Sequence, residues 1–163
     1  AANDNNVSEL RRLLGTPPAR SSAVLNWHNP DRTERNDTPL HQAAIKGHTE
    51  CARSLLEAGS DANVANVEQH RPLHYAVAKG HTSLAALLLE HRADVNAQDK
   101  KRRSALHYAA TNIEDNAVAI AVVTLLKSKG ADLTLRDESN DTPLDDARRK
   151  KRSPELCALL GGR

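Results

Sequence analysis

The run TPLHQAAIKGHT at 38–49 returns as RPLHYAVAKGHT at 71–82, as SALHYAATN at 104–112 and as TPLDDARRK at 142–150. His41, His74 and His107 stand 33 residues apart, and Gly47 and Gly80, His48 and His81, and Asn63 and Asn96 repeat at the same step. Self-similarity of this length marks a stacked array, in which each small unit buries its apolar face only against its neighbours.

Local chemistry defines the unit. Thr38, Ser104 and Thr142 are good N-cap residues, and Pro39, Pro72 and Pro143 sit where a first-turn proline loses no hydrogen bond. Gly47 and Gly80 suit the left-handed residue that ends a short first helix. The stretch from Cys51 to Leu56 has apolar residues at helical spacing, so a second helix follows. Gly59 and Gly130 stop it, and Arg92 holds the equivalent place in the unit between them.

The segment TPLHQAAIKGHTECARSLLEAGSDAN at 38–63 resembles an ankyrin repeat. It has the Thr-Pro-Leu-His turn-to-helix start, the Ala-Ala pair, the Gly-His hinge, the Leu-Leu pair and the Gly-x-Asp-x-Asn exit. The resemblance covers nearly the whole chain. It implies an all-α solenoid of stacked helix-turn-helix units carrying β-turn fingers. It also implies a concave groove lined by the fingers and one face of the first helices, and a structural role for the recurring histidine in tying adjacent turns together.

One domain over 1–163 is expected. Residues 1–32 form a partial N-terminal cap and a long loop with Pro17, Pro18 and Pro30, with Asn5 in the hinge place. Full repeats run over 33–65, 66–98 and 99–136, and 137–163 is a C-terminal capping repeat with Ser153, Pro154 and Gly161 as its last helix signals. The step from His107 to Asp145 is 38, which places five extra residues around NIEDN at 112–116. They are expected to bulge outward or to extend the first helix, because insertions in repeat proteins map to loops.

Composition narrows the function. There are 23 Lys and Arg against 21 Asp and Glu, a net charge of +2 that is too weak to argue nucleic acid. With no Phe, one Trp and two Tyr, large rings cannot build the core, which a thin seam of Leu, Ala and Val can. Cys51 and Cys157 fall in second helices three repeats apart, on the order of 30 Å, too far to bridge. Unpaired thiols suit a reducing compartment, so a cytoplasmic or nuclear location is expected. No apolar run approaches the ~20 residues of a membrane span. The chain opens on Ala1 inside an apparent helix end, as a piece of a longer protein would.

No phosphate loop, C-x-x-C or G-x-S-x-G is present, so the expectation is a non-enzymatic protein with no cofactor. Two zinc-bound nitrogens lie about 3–4 Å apart, while stacked repeats hold equivalent side chains roughly 8–10 Å apart, so the histidines are read as structural and no metal is assigned. Basic runs fall at KKRR 100–103, on a finger, and at RRKKR 148–152, on a hinge. They read as a solvated edge, a surface for an acidic partner or a nuclear localisation signal. The finger tips carry Asn36, Gln69, Arg102 and Asn140 where glycine is usual in the family, which leaves open a different turn or side chains kept for contacts. Tyr75 and Tyr108 recur one residue after the histidine, with Ala78, Lys79, Thr111 and Asn112 on the same helical face. They read as partly buried packing or as aromatic anchors for a partner.

The expected binding residues are Tyr75, Lys79, Tyr108, Thr111 and Asn112 in the groove, with Lys100, Lys101 and Arg103 on the finger. The expected partner is another protein or an extended peptide of acidic character. Two alternatives stand beside it. One is a targeting or regulatory segment of a larger enzyme. The other is a nuclear regulator touching nucleic acid through its basic patches, disfavoured because stacking rings are scarce.

Overall fold

The computed structural model describes residues 35–161. The expected cap, loop and Trp27 lie outside the described residues. Eight helices occupy the described part: α1 Pro39–Lys46, α2 Thr49–Glu57, α3 Pro72–Ala78, α4 Thr82–Glu90, α5 Ala105–Asn112, α6 Asn116–Ser128, α7 Pro143–Arg149 and α8 Pro154–Leu160. The described residues contain no strand beyond one isolated bridge, Gln98 to Ser104.

Each first helix begins at a residue in extended conformation, and the histidine three positions on closes the start. His41 Nδ1 accepts the Thr38 backbone N–H at 3.1 Å and the Thr38 hydroxyl at 2.8 Å. An Nδ1 that accepts an N–H carries no proton, so Nε2 carries it and donates to the His70 carbonyl at 3.0 Å. His107 does the same, accepting from Ser104 N–H at 3.1 Å and donating to the Asp141 carbonyl at 3.1 Å. His74 accepts from Arg71 N–H at 3.0 Å and donates to Ala97 at 2.9 Å. Each ring therefore caps its own helix; those of His41 and His107 tie it to the next unit, and that of His74 ties it to the chain leaving its own second helix. Asp145 keeps only the acceptor half, taking the Thr142 N–H at 3.0 Å.

The hinge after α1 places Gly47 at φ 72°, and a side chain there would also run into the His81 ring of the next unit, 2.7 Å from its Cβ. Gly80 sits at φ 72° in the same role, but the third place in that register is Ile113, at φ −85° and ψ 111°. The chain thus leaves α5 extended, and the inserted residues follow. Ile113 is buried, Glu114 is exposed, and Asp115 accepts the Ala117 N–H at 2.7 Å to start α6. The helix α6 has 13 residues where α2 and α4 have 9. The insert therefore lengthens the second helix by about one turn. It does not extend the first helix, and one of its residues is core.

All four finger tips are left-handed: Asn36 at φ 55°, Gln69 at 60°, Arg102 at 58° and Asn140 at 66°. The turn type is kept without glycine, and Arg92 takes φ 64° where Gly59 and Gly130 stand in neighbouring units. Non-glycine residues in this conformation cost about 1 kcal/mol each. The loss is offset by an acceptor three residues earlier. Asn66 Oδ1 takes the Glu68 and His70 N–H groups at 3.0 Å each, and Asp99 Oδ1 takes Lys101 and Arg103 at 2.8 and 2.9 Å. Asp137 repeats the motif with Ser139 and Asp141. The fingers also bond to one another, through Val67 N–H to Arg35, Lys100 to Glu68 and Glu138 to Lys101.

The core is the expected seam. Leu40, Leu55, Leu84, Leu88, Leu106, Leu126 and Leu156 are fully buried, with Val77 and Val122 between them. Small buried residues, Ala43, Ala44, Ala76, Ala109, Ala110 and Ala147, line the first helices, which pack against one another more closely than the second helices do. The stack therefore curves with the first helices inside.

Two stability measurements test this account. Arg102→Gly relieves a left-handed side chain, so chemical denaturation is expected to show a gain of about 1 kcal/mol. Ile113→Ala removes buried volume from the insert and is expected to cost about 2 kcal/mol or more, whereas a purely exposed bulge would show no loss.

Candidate protein-binding face

Tyr75 and Tyr108 sit half-buried on the inner face of α3 and α5, and their hydroxyls are held from below. Tyr108 donates to Asp99 Oδ2 at 2.5 Å, and His70 Nε2 reaches the same hydroxyl at 2.9 Å. Tyr75 accepts from Asn66 Nδ2 at 3.0 Å, and that amide also donates to Asp37 at 2.7 Å. The rings form a continuous string. His41 meets Tyr75 edge-on at 5.9 Å, Tyr75 meets His70 at 5.2 Å, and His70 meets Tyr108 at 5.9 Å.

Electrostatics lock this floor. Burial alone would raise the Asp99 carboxyl, but hydrogen bonds from His70, Tyr108 and the Arg103 backbone outweigh it and hold it well below the usual carboxylate range. Burial, then the Asp99 carboxylate, pushes the Tyr108 phenol up, and burial pushes Tyr75 up as well. Both phenols stay protonated and both rings stay fixed.

Arg103 was expected among the finger charges, but its side chain turns inward. Its guanidinium lies 4.6 Å from the centre of the Tyr108 ring, donates to Thr111 Oγ1 at 2.6 Å and comes 3.9 Å from Asp146. Its side chain is 23% exposed, against 65% for Lys100. Thr111 is thereby engaged too. Lys100 lies 3.8 Å from Glu68, and Lys101 is exposed beside it. Lys79 and Asn112 are exposed and meet at an open groove of about 410 Å³, lined also by Ala78, Gly80, Ile113, Glu114, Asp115 and Val118. The eight expected residues thus divide into a rigid floor of Tyr75, Tyr108, Arg103 and Thr111, a hinge-side pair of Lys79 and Asn112, and a finger pair of Lys100 and Lys101.

Sequence reasoning missed His70, Asn66 and Asp99. The recurrence of Asn or Asp three residues before Gln69, Arg102 and Asn140 was a usable signal for two of them. Nothing in the repeat pattern pointed to His70, which stands where the next unit has Arg103. Asp137, Asp141 and Asp146 each bring a carboxylate oxygen within 4.8 Å of the others. Arg149 already answers that charge, donating to Asp146 at 2.7 Å and to Asp141.

This architecture, a curved stack of helix pairs with histidine-closed starts and bonded fingers, defines an ankyrin-repeat protein. Family models agree: one for ankyrin repeats in three copies matches residues 1–99, and one for ankyrin repeats in many copies matches 88–147. The chain belongs to the ankyrin-repeat family. Ankyrin repeats are generally protein–protein interaction modules and are typically non-catalytic. The chain is also similar to oxysterol-binding protein-related protein 1 of Homo sapiens, at 37% identity over 67 residues. That match covers 40% of this chain and 7% of the relative's length.

The capping histidines set the pH response. Burial lowers His74 from 6.5 to about 4, and burial lowers His107 also. A folded-state pKa below the unfolded value means that the unfolded chain binds the proton first. Stability is therefore full above about 6.5 and is lost as pH falls towards 4. Asp146 has the opposite sign, because burial raises it, but it acts only near the carboxylate range. His74 alone is expected to cost about 2 kcal/mol between pH 7.5 and pH 5. Denaturant titrations at the two pH values check this, and His74→Gln should flatten the difference while lowering stability at pH 7.5. Equal stability of the native chain at both would contradict the account.

Proposed function

We propose that the chain is a binding scaffold that takes an extended segment of another protein across the inner faces of α3 and α5. The observation that carries this is the pair of tyrosine rings, half-exposed above and locked below. Rings fixed before binding lose little rotamer entropy when a partner arrives, and tyrosine is enriched where interfaces hold most of their energy. Lys79 and Asn112 flank the rings at the hinge, and Lys100 and Lys101 at the finger. Exposed charges of this kind set association rate more than affinity, because salt screens them. An acidic or extended peptide suits this surface.

No helix among the described residues is long and apolar enough to cross a membrane. Cys51 and Cys157 are free thiols, which supports a reducing compartment, cytoplasmic or nuclear. A second reading is favoured by the match to a short stretch of a much longer relative. In it, the same face acts as the targeting or regulatory segment of a larger protein. A nucleic-acid reading is weakened because Arg103 already lies over one face of Tyr108, one of only two tyrosines on which bases could stack.

The test is kinetic. With a partner captured from lysate and then purified, Tyr75→Ala/Tyr108→Ala is expected to raise the dissociation rate about tenfold or more. The Phe versions, which keep the rings, should change it little. Lys100→Glu/Lys101→Glu should slow association and flatten its salt dependence. Unchanged binding in both sets would move the interface to another face of the stack.

A further inference from the structure

The hinge ends of the first helices carry a second pattern, distinct from the tyrosines. Lys46, Lys79, Asn112 and Lys150 occupy one register position in four successive units. All four are exposed, and none of the three lysines enters an ion pair among the described residues. Lysine near a helix C-terminus complements the helix dipole, which accounts for the charge of each one singly. It does not account for what stands at the third place. There the row loses its lysine, and the open groove lies between Lys79 and Asn112.

The groove exists because of the insert. Ile113 takes the hinge place, and α6 starts a turn early, so Ile113 and Val118 are laid over Gly80. Val118 Cγ1 would lie 3.0 Å from a Cβ at Gly80, and Ile113 Cγ2 3.7 Å. The groove carries the apolar side chains of Ala78, Ile113 and Val118 beside the Gly80 backbone. The far rim is acidic, with exposed Glu114 and Asp115. A carboxylate meeting this third place would face repulsion, while an aliphatic side chain would find apolar contacts.

Spacing turns this into a sequence. Neighbouring helices pack about 8–10 Å apart, and an extended peptide in the polyproline II conformation rises about 3.1 Å per residue with three residues per turn, so every third side chain faces the same way. One repeat therefore matches about three residues. We infer that the partner segment is an extended acidic peptide in the polyproline II conformation, whose carboxylates meet Lys46 and Lys79 three residues apart. An aliphatic side chain about three residues further on enters the insert groove, and a further acidic residue reaches Lys150. This deepens the proposed function and rests on its inner-face reading. Charge complementarity selects the acidic peptide over the other occupants. Nucleic acid also offers regularly spaced anions, but it has no aliphatic group for the groove.

The probe is a phage-displayed library of random dodecapeptides, selected on the immobilised full chain in physiological salt. The expected winners carry two acidic residues three apart and then Leu, Ile or Val about three residues on. In solution, the best synthetic peptide should bind about tenfold more weakly to Lys46→Glu/Lys79→Glu, a change of about 1.4 kcal/mol. Asn112→Trp, which blocks the groove from an exposed position without replacing its apolar side chains, should abolish the preference for the aliphatic residue. Melting temperatures of these surface variants should match the parent, and a variant that unfolds is replaced by the charge-neutral Lys46→Gln/Lys79→Gln pair. Winners without this spacing, or indifferent to the lysines, would overturn the inference, as would no enrichment at all. Winners that depend on Tyr75 and Tyr108 but not on the lysines would leave the inner-face reading intact, and winners indifferent to both would remove it too. A labelled single-stranded oligonucleotide bound as tightly as the best peptide, with the same lysine dependence, would overturn the inference by making the row a phosphate surface.

Discussion

A neutral imidazole with one nitrogen accepting and the other donating is the part on which the stack depends. At His41, His74 and His107 the acceptor nitrogen closes the start of a first helix, and the donor nitrogen reaches a backbone carbonyl beyond its own helix pair. Helix starts leave backbone N–H groups without partners, and a solenoid unit has no stability apart from its neighbours. One side chain answers both needs. Its burial is tolerated because it stays uncharged, which is also why acid weakens it. Asp145 marks the boundary of the device, since a carboxylate accepts but cannot donate onward.

Small residues convert this linkage into a curved surface. The alanines of α1, α3, α5 and α7 let these helices approach, and the longer leucines of the second helices hold theirs apart. The inner face that results is narrow, and its two tyrosines must lie along it. Their hydroxyls are captured by Asn66, Asp99 and His70, all belonging to the fingers. Finger geometry and ring position are therefore one problem. The same Asp99 that accepts the finger N–H groups through one oxygen fixes Tyr108 through the other.

The insert shows how a repeat array acquires something private. Five residues inside a turn cost little loop entropy. Because Ile113 replaces the hinge glycine and is buried, they are absorbed into a longer α6 and leave an open groove at that hinge.

Periodicity alone determined the helix pairs, their boundaries at Thr38, Pro39, Gly47, Gly59 and their counterparts, and the Leu, Ala and Val seam, while the tying role of the histidine came from the resemblance to the ankyrin family. These are legible because each obeys a short-range rule of capping, turn conformation or helical spacing, repeated until chance is excluded. That Tyr75 and Tyr108 share one helical face with Lys79 and Thr111 was legible for the same reason, and that this face lines the groove was an implication of the family resemblance. Whether a polar side chain there is free or spent was not. Arg103 reads in sequence as one more finger charge, yet it lies over Tyr108 and bonds Thr111. Gln69 and Arg102 leave open in sequence a different turn or side chains kept for contacts, and they keep the left-handed turn, for which Asn66 and Asp99 supply the acceptors. NIEDN reads as a surface loop, yet Ile113 is buried against the neighbouring hinge. For Ile113 the deciding partner is the hinge of the neighbouring unit, a contact made only when the stack closes; for Arg103 and the finger tips the partners lie in the same unit, where the direction of a side chain and the closure of a turn, not spacing, decide the contact.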